Sequence, residues 1–319
     1  MNYEMLPANA VLAANRIDSY IRETPLDHSP YFSELTGANV YLKLENLQHT
    51  GSFKLRGAFN KLLSMSAEER ACGGVAASSG NHGAAIAHAM KELGVSGTIF
   101  VPEQTSSTKV DAIRRAGGDF RFFGTDGLDT ETHAREYAEQ NGMPYLSPYN
   151  DLDVIAGQGT CGVEIARQLP DVDAVFIAVG GGGLIAGVGT FLKSVNPSIS
   201  VVSCQPAASP VMTESVKAGR IVDLPIQPTL SDGTKGGIEA DAITFEICRD
   251  ITDEYVLVSE EQIAAAMCGF IDAHHMLPEG AAGVALAGLL VSGNKFRDRN
   301  VVVVVCGGNV SRKTLKKVI

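Results

Sequence analysis

The chain has 319 residues, of which 45% are apolar and 19% charged, and its formal net charge is −10. That length exceeds one simple core, so one large domain or two lobes is expected, and the acidic balance argues against a nucleic-acid partner. The longest apolar runs, Ala281 to Val291 and Val301 to Cys306, are too short to span a bilayer.

Strand-like and helix-like runs alternate along the chain. Leu6 to Ile21 predicts a helix. Val40-Tyr41-Leu42-Lys43-Leu44 is strand-like and a helix-like run follows from Leu55 to Leu63, with Thr50-Gly51-Ser52 supplying turn and cap chemistry between them. Lys54 therefore falls in the first turn of a helix. The partial positive charge at a helix start disfavours an ammonium and lowers its pKa, which makes the amine a nucleophile of the kind that forms Schiff bases. On that segment alone an ordinary surface lysine is the plainer reading.

Gly74 to Ser78 reads as a short strand, followed by a helix from about Asn81 to Leu93. Thr98 to Pro102 and Asp119 to Phe123 are strands, each followed by a helix, from about Ser107 to Ala116 and from about Leu128 to Gln140. Pro144 to Ser147 predicts a further short strand and Asp153 to Leu169 a helix. Ala174 to Val179 is a buried-type strand ending in four glycines, with a helix after it to about Lys193. The strand Ser200 to Cys204 comes next, then a looser Pro- and Gly-rich region from Pro206 to about Ala240. The remainder reads as helix, strand (Tyr255 to Val258), two helices, strand (Val301 to Val305) and a short helix. Repeated strand–helix units imply parallel sheets with helices on both faces, and ligands in such folds sit beyond the C-terminal ends of the strands.

Four loops carry chemistry. Gly180-Gly181-Gly182-Gly183 lies between a strand and a helix, where backbone N–H groups can surround an anion. A tight turn would need fewer glycines. Gly181, Gly183 and Ala186 also satisfy a dinucleotide fingerprint, but the next strand ends in Cys204-Gln205, without the acid that holds a ribose, so a small phosphate-bearing cofactor fits better. Ser78-Ser79-Gly80-Asn81-His82-Gly83 is a second loop dense in donors, suited to a carboxylate, or equally to capping the helix that follows. Val305-Cys306-Gly307-Gly308-Asn309 ends the last strand, where a weakly acidic thiol could meet a heterocyclic nitrogen; Cys306 also reads as a small buried hydrophobe. Lys54 lies in the fourth loop. His274-His275 invites a metal reading, but adjacent helical histidines diverge and no clustered spacing occurs, so no metal site is expected. The six cysteines are scattered without a C-x-x-C pair, and Met1 to Ala10 has neither basic n-region nor apolar core. Reduced thiols, no signal peptide and a cytoplasmic location are expected.

Taken together, Ser52-Phe53-Lys54-Leu55-Arg56-Gly57-Ala58, Ser78 to Gly83, Ile155-Ala156-Gly157-Gln158-Gly159-Thr160, Gly180 to Gly183 and Cys306 to Asn309 resemble, in order and over nearly the whole chain, the fold type II pyridoxal-phosphate enzymes of the serine/threonine dehydratase and serine racemase family. The resemblance implies a two-lobed α/β enzyme, tryptophan synthase β-like, each lobe an open, mostly parallel sheet with helices on both faces. Residues 1–70 and 147–319 would form a large cofactor-binding domain and residues 71–146 a small mobile one. It implies pyridoxal 5′-phosphate bound covalently by Lys54, which then acts as base at Cα. Phe53 would pack beside the cofactor, Asn81 contact its 3′ oxygen, Gly180, Gly181, Gly182, Gly183 and Leu184 bind its phosphate, Glu279 lie close to it, and Cys306 face the pyridine nitrogen. Ser78, Ser79, Gly80, Asn81 and His82 would line the place of the substrate carboxylate.

The implied reaction is dehydration of a β-hydroxy-α-amino acid to a 2-oxo acid and ammonia. Ser79 stands where racemase relatives carry a proton-returning serine, so amino-acid racemisation stays open as an alternative. Gln205 and Val211 stand where relatives with an activating cation carry acids, which speaks against metal activation. Gly236 and Gly237, within Ser231 to Glu239, replace bulkier residues in a loop over the substrate, and are expected to admit a larger side chain. The chain as read stops soon after its last strand, so the C-terminal regulatory domain of some threonine dehydratases is not expected. Cys204 to Pro210 together with Ser231 to Glu239 look most like a branch containing phenylserine and hydroxyectoine-utilisation dehydratases. A small-molecule amino-acid substrate, no membrane partner and a homodimer complete the expectation. A nucleotide-binding protein using Gly180 to Gly183, or a catalytically silent binding protein, are the readings from other classes; Gln205 and the intact Lys54 speak against them.

Overall fold

The computed structural model describes residues 3–105, 107–125 and 127–319. The chain begins with α1 (Leu6–Ile17), the short β1 (Leu26–His28), α2 (Pro30–Thr36) and β2 (Asn39–Lys43), then α3 (Lys54–Ser64) and α4 (Ala67–Cys72). A middle section alternates β3 (Gly74–Ala77), α5 (Asn81–Leu93), β4 (Gly97–Val101), α6 (Ser107–Arg115), β5 (Phe120–Phe122) and α7 (Gly127–Gln140). It is followed by α8 (Leu152–Gln168), β6 (Ala174–Ala178), α9 (Gly183–Val195), β7 (Ser200–Pro206), α10 (Val211–Ala218) and α11 (Ile243–Ile251). The last elements are β8 (Glu254–Val258), α12 (Glu260–His274), α13 (Gly280–Ser292), β9 (Asn300–Val304) and α14 (Arg312–Val318).

Two sheets result. The larger has six strands in the order β1-β2-β9-β6-β7-β8, parallel except for the antiparallel edge pair β1–β2; the smaller has three parallel strands, β3-β4-β5. The two-lobed α/β expectation holds. β6 and β9 are buried along almost their whole length, as strands covered on both faces must be, which is why they read as continuous apolar runs. Among the described residues no helix is long and apolar enough to cross a membrane.

Several local expectations give way. Helix α1 stops at Ile17 and a 3-10 turn carries the chain to Tyr20. Pro144 to Ser147 forms no strand; Tyr145 makes only an isolated bridge to Val75. The looser region after Pro206 contains α10, closed by Gly219 in the left-handed conformation. β1, α2 and α4 have no counterpart in the sequence reading; they are short, and short elements carry little periodicity.

One buried ionic network ties the larger sheet to its helices. Arg56 of α3 is fully buried, and every N–H of its guanidinium has an acceptor. Nε and Nη2 donate to Glu45 at 2.8 and 2.7 Å, Nη1 and Nη2 to Glu164 of α8 at 2.6 and 2.8 Å, and Nη1 also to Thr160 at 3.1 Å. Lys43, on β2, adds a second cation on Glu164 and donates to the Thr24 carbonyl at 2.7 Å. Helices α3 and α8 cross where glycine meets glycine: a Cβ on Gly157 would sit 2.6 Å from Gly57 Cα. Replacing Arg56 by methionine leaves two buried carboxylates with only Lys43 to balance them. The expected loss is about 3–5 kcal/mol of stability, read as a lowered urea midpoint. Arg56→Lys should recover only part of it, because an ammonium has three donors and cannot grip two carboxylates bidentately.

Candidate active site

The lysine at the start of α3 is placed by its neighbours in the last loop of the chain. Phe53 N–H donates to the Cys306 carbonyl at 3.1 Å, Ser52 bridges to Gly307, and Gly308 N–H donates to the Gly51 carbonyl at 2.9 Å. β2 ends at Lys43, so these contacts, rather than the strand itself, bring Lys54 to the mouth of the sheet. Its Nζ donates to the Pro148 carbonyl at 2.7 Å. The pKa falls to about 8, as the sequence suggested, but the cause differs. Burial of the ammonium is the main effect, and the neighbouring Cys306 and Glu279 oppose it.

A second chain of polar contacts crosses the site. Glu279 caps the start of α13, its own N–H donating to the Gly307 carbonyl at 2.9 Å. Asn81 Nδ2 donates to both Glu279 oxygens at 2.9 and 2.8 Å, and Asn309 Nδ2 donates to Asn81 Oδ1 and to the Thr50 carbonyl, both at 2.8 Å. Burial raises Glu279 to about 7 against the opposing bond from Asn81. Burial and the neighbouring Glu279 also hold the Cys306 thiol well above its ordinary range, so it stays protonated. The structure thus brings together Lys54, Phe53, Asn81, Glu279 and Cys306, each from a different turn of the sequence reading except the adjacent Phe53 and Lys54.

The four glycines lie against the segment that accepts the lysine bond. A Cβ on Gly181 would fall 2.3 Å from the Tyr149 ring, and one on Gly180 would fall 2.9 Å from Thr234 Cα. Gly182 has φ +87, a conformation that side-chain-bearing residues avoid. Helix α9 starts from Gly182 with no side chain capping it, so the N–H groups of its first turn, Leu184 included, have no intrahelical acceptor. An anion belongs at such an end. Ser52, one turn from Lys54, is fully buried with an unpartnered hydroxyl. A buried amine of lowered pKa, an uncapped glycine-lined helix start and a protonated thiol are a donor set that fits pyridoxal phosphate.

The remaining predicted residues are less uniform. Ser78 and Ser79 are partly exposed on the loop after β3, Gly80 is exposed, and the Gly80 N–H donates to Ser78 Oγ at 3.2 Å. His82 is buried and turned to the backbone: its Nε2 lies 2.8 Å from the Leu146 carbonyl, and burial, aided by Lys54, lowers its pKa to about 3. It is therefore a neutral ring donating to a carbonyl, and its ring Nε2 is already used. Gly236 and Gly237 face open space, with nothing within 4 Å of an added Cβ at either. His274 and His275 part company as expected: His274 lies between Phe32 and Phe270 with Ser29 Oγ at 2.8 Å, and His275 is the left-handed cap of α12. Sequence reading missed Pro148, which contributes only a carbonyl, and Tyr149 and Thr244, which pack on the glycines. Asn309 had a signal, its place in the Gly-Gly-Asn turn.

The fold and this constellation define a class: a two-lobed α/β enzyme with a buried lysine of lowered pKa beside an uncapped, glycine-lined helix start. Residues 17–307 match the family described as pyridoxal-phosphate dependent enzyme, and the chain belongs to that family. It is 39% identical over 319 residues to a protein of Geobacter sulfurreducens named L-threonine ammonia-lyase, covering 99% of this chain and 78% of that one. A catabolic L-threonine dehydratase of Staphylococcus aureus is likewise 39% identical, over 95% of this chain and 88% of its own. Among solved structures, the processed threonine deaminase isoform 2 of Solanum lycopersicum superposes with a TM-score of 0.93 at 36% identity, over 100% of this chain and 93% of that one. Maize serine racemase gives 0.91 at 30%, over 97% and 95%. The protein is a pyridoxal-phosphate-dependent lyase of the serine/threonine dehydratase and serine racemase group.

The electrostatics yield a test on the cofactor-free protein. Labelling of Lys54 by an amine-reactive reagent should rise with a midpoint near pH 8, since the free amine is the reacting form. Removing the Glu279 charge (Glu279→Gln) takes away a group that favours the ammonium, so the midpoint should move lower. Peptide mapping of the label against pH measures both.

Proposed function

We propose that the protein dehydrates a β-hydroxy-α-amino acid to a 2-oxo acid and ammonia, and that the substrate side chain is bulkier than that of threonine. Pyridoxal phosphate, when bound, supplies the electron sink that makes the Cα–H bond acidic. With that group in place, the Lys54 amine would take the Cα proton. The bond from Cβ to its hydroxyl breaks, the hydroxyl leaves with a proton as water, and hydrolysis of the resulting enamine gives the 2-oxo acid and ammonia.

The observation that carries the reading is the pairing of Lys54, lowered to about 8, with Cys306, whose thiol is held protonated. A neutral thiol cannot pass a full positive charge to a ring nitrogen. Facing the ring nitrogen of bound pyridoxal phosphate, it would limit the electron withdrawal the ring supplies and so would favour prompt loss of the β-hydroxyl. In this reading Phe53, Asn81, Glu279 and Cys306 surround the cofactor ring, Gly180 to Gly183 and Leu184 hold its phosphate, and Ser78, Ser79, Gly80, Asn81 and His82 shape the carboxylate place. His82 does so through its fixed position rather than its ring nitrogens. The relatives named for threonine deamination support the reaction, and the open space around Gly236 and Gly237 supports the larger substrate. Ser79, partly exposed on its loop, keeps racemisation as the second reading. Residues 71–146 act as the small closing domain, and the protein works as a homodimer, which size-exclusion chromatography with light scattering checks.

Serine, threonine, 3-hydroxyaspartate, phenylserine and hydroxyectoine, offered in turn, decide the substrate. Release of 2-oxo acid and ammonia is expected, with phenylserine above threonine. Inversion at Cα without keto acid would move the assignment to a racemase. Lys54→Ala should cut turnover by at least about a thousandfold. Gly237→Val should lower kcat/KM for phenylserine relative to threonine by about tenfold; an unchanged ratio would remove this loop from substrate selection.

A further inference from the structure

The glycine turn is gripped from behind, through its carbonyl oxygens. Thr244 of α11 donates its hydroxyl to the Gly181 carbonyl at 2.6 Å. Gln205, at the end of β7, donates Nε2 to the Val179 carbonyl at 3.1 Å. The Gly182 carbonyl accepts the Ala186 N–H at 2.9 Å, and the Cys248 thiol stands 3.9 Å from it. These side chains are all buried, at 0 to 1% exposure. Gln205 is itself immobilised, because its Oε1 accepts from Thr213 N–H and Oγ1 at 2.8 and 2.7 Å.

The consequence follows from peptide geometry. In a trans peptide the C=O of one residue and the N–H of the next point in opposite directions. Fixing the carbonyls of Val179, Gly181 and Gly182 therefore fixes the N–H groups of Gly180, Gly182 and Gly183, on the side away from Gln205, Thr244 and Cys248. A glycine turn left to itself loses more conformational freedom on ordering than any other sequence, and its carbonyls are free to swing toward the anion and repel it. Side chains behind the turn remove both costs in advance.

We propose that Thr244 and Gln205, with Cys248 as a weaker third, are positioning residues for the cofactor phosphate: they hold the carbonyls of the turn outward so that its N–H groups stand ready for the anion. None of them touches the cofactor in this scheme. The inference rests on the reading of Gly180 to Gly183 as the phosphate site.

The test is equilibrium binding of pyridoxal phosphate and of pyridoxal, which lacks the phosphate, to the cofactor-free protein, followed by visible absorbance. Thr244→Val keeps the shape and loses the donor. It should weaken pyridoxal phosphate about tenfold, the worth of one well-placed hydrogen bond, and pyridoxal less than about twofold. Thr244→Ser should restore the wild-type ratio, which a general loss of packing would not allow. Gln205→Met reads the same effect at the neighbouring carbonyl, should Thr244→Val fail to fold by circular dichroism. Equal weakening of both ligands, or no weakening of either, would overturn the proposal. If the wild-type protein itself binds the two ligands equally well, no site grips the phosphate, at the glycine turn or elsewhere, and the proposal falls with that reading rather than by its own failure.

Discussion

The double carboxylate grip on Arg56 is the interaction on which the rest of the structure depends. A buried ion pair is weak evidence for stability, because desolvation offsets most of the attraction. Here two cations, Lys43 and Arg56, face two anions, Glu45 and Glu164, so the network is neutral as a whole and its hydrogen bonds are complete. Burial alone would raise Glu45, and Arg56, Lys43 and Thr24 together outweigh it, so the carboxyl sits below its usual range. What a fully bonded guanidinium provides is geometry. A planar fork held on two edges has one orientation, and any shift of α3 along α8 breaks several bonds together. Lys54 is two residues from that fork, in the first turn of the same helix. The Lys54 amine is therefore positioned by a buried network two residues along its own helix.

From Arg56 the constraint passes to the site by backbone. The turn before α3 is bonded to the turn after β9, and the turn after β9 is bonded to Glu279 at the start of α13. Lys54, Cys306 and Glu279 are thus fixed to one another by peptide groups, and the side chains merely extend from a rigid frame. That rigidity explains why their titrations are shifted in complementary directions. A buried amine is pushed down and a buried carboxyl up because neither can collect water, and neither can move away to find it.

Much of this was legible in the sequence, for a reason that the residues make plain. The glycine run, the Ser-Ser-Gly-Asn-His loop and the Cys-Gly-Gly-Asn turn use residue types that ordinary loops do not need, so each marks its place without neighbours. Lys54 was legible for the same reason, although its lowered pKa was credited to the helix start, while burial, a property of the folded molecule, is the larger cause. The partners of these loops were not legible. Glu164 lies 108 residues from Arg56, and nothing in a helix of mixed polarity says which carboxylate will face which guanidinium. Pro148 contributes a carbonyl that any residue possesses. Thr244 and Gln205 act on backbone atoms, and a threonine that donates to a glycine carbonyl looks like any other threonine. The short strand expected over Pro144 to Ser147 failed because a proline-led tetrapeptide can satisfy a single bridge and leave the sheet.

One segment joins the features that remain. Residues 229–240 touch the glycine turn through Thr234, and the Glu239 N–H donates to the hydroxyl of Tyr149, whose ring covers Gly181. The same segment meets the helices of the smaller sheet: Asp232 pairs with Lys109 of α6 and Glu239 with Arg135 of α7. Both pairs are substantially exposed on at least one side, and such pairs hold weakly, about 1 kcal/mol or less. The contrast with Arg56 is instructive. The Arg56 network of the larger lobe is buried, multiply bonded and hard to disturb, whereas these two pairs between the lobes are partly exposed and easily separated. The one stretch is thus held firmly at the glycine turn and lightly at the smaller sheet, and Gly236 and Gly237, with open space around them, lie in the middle of it.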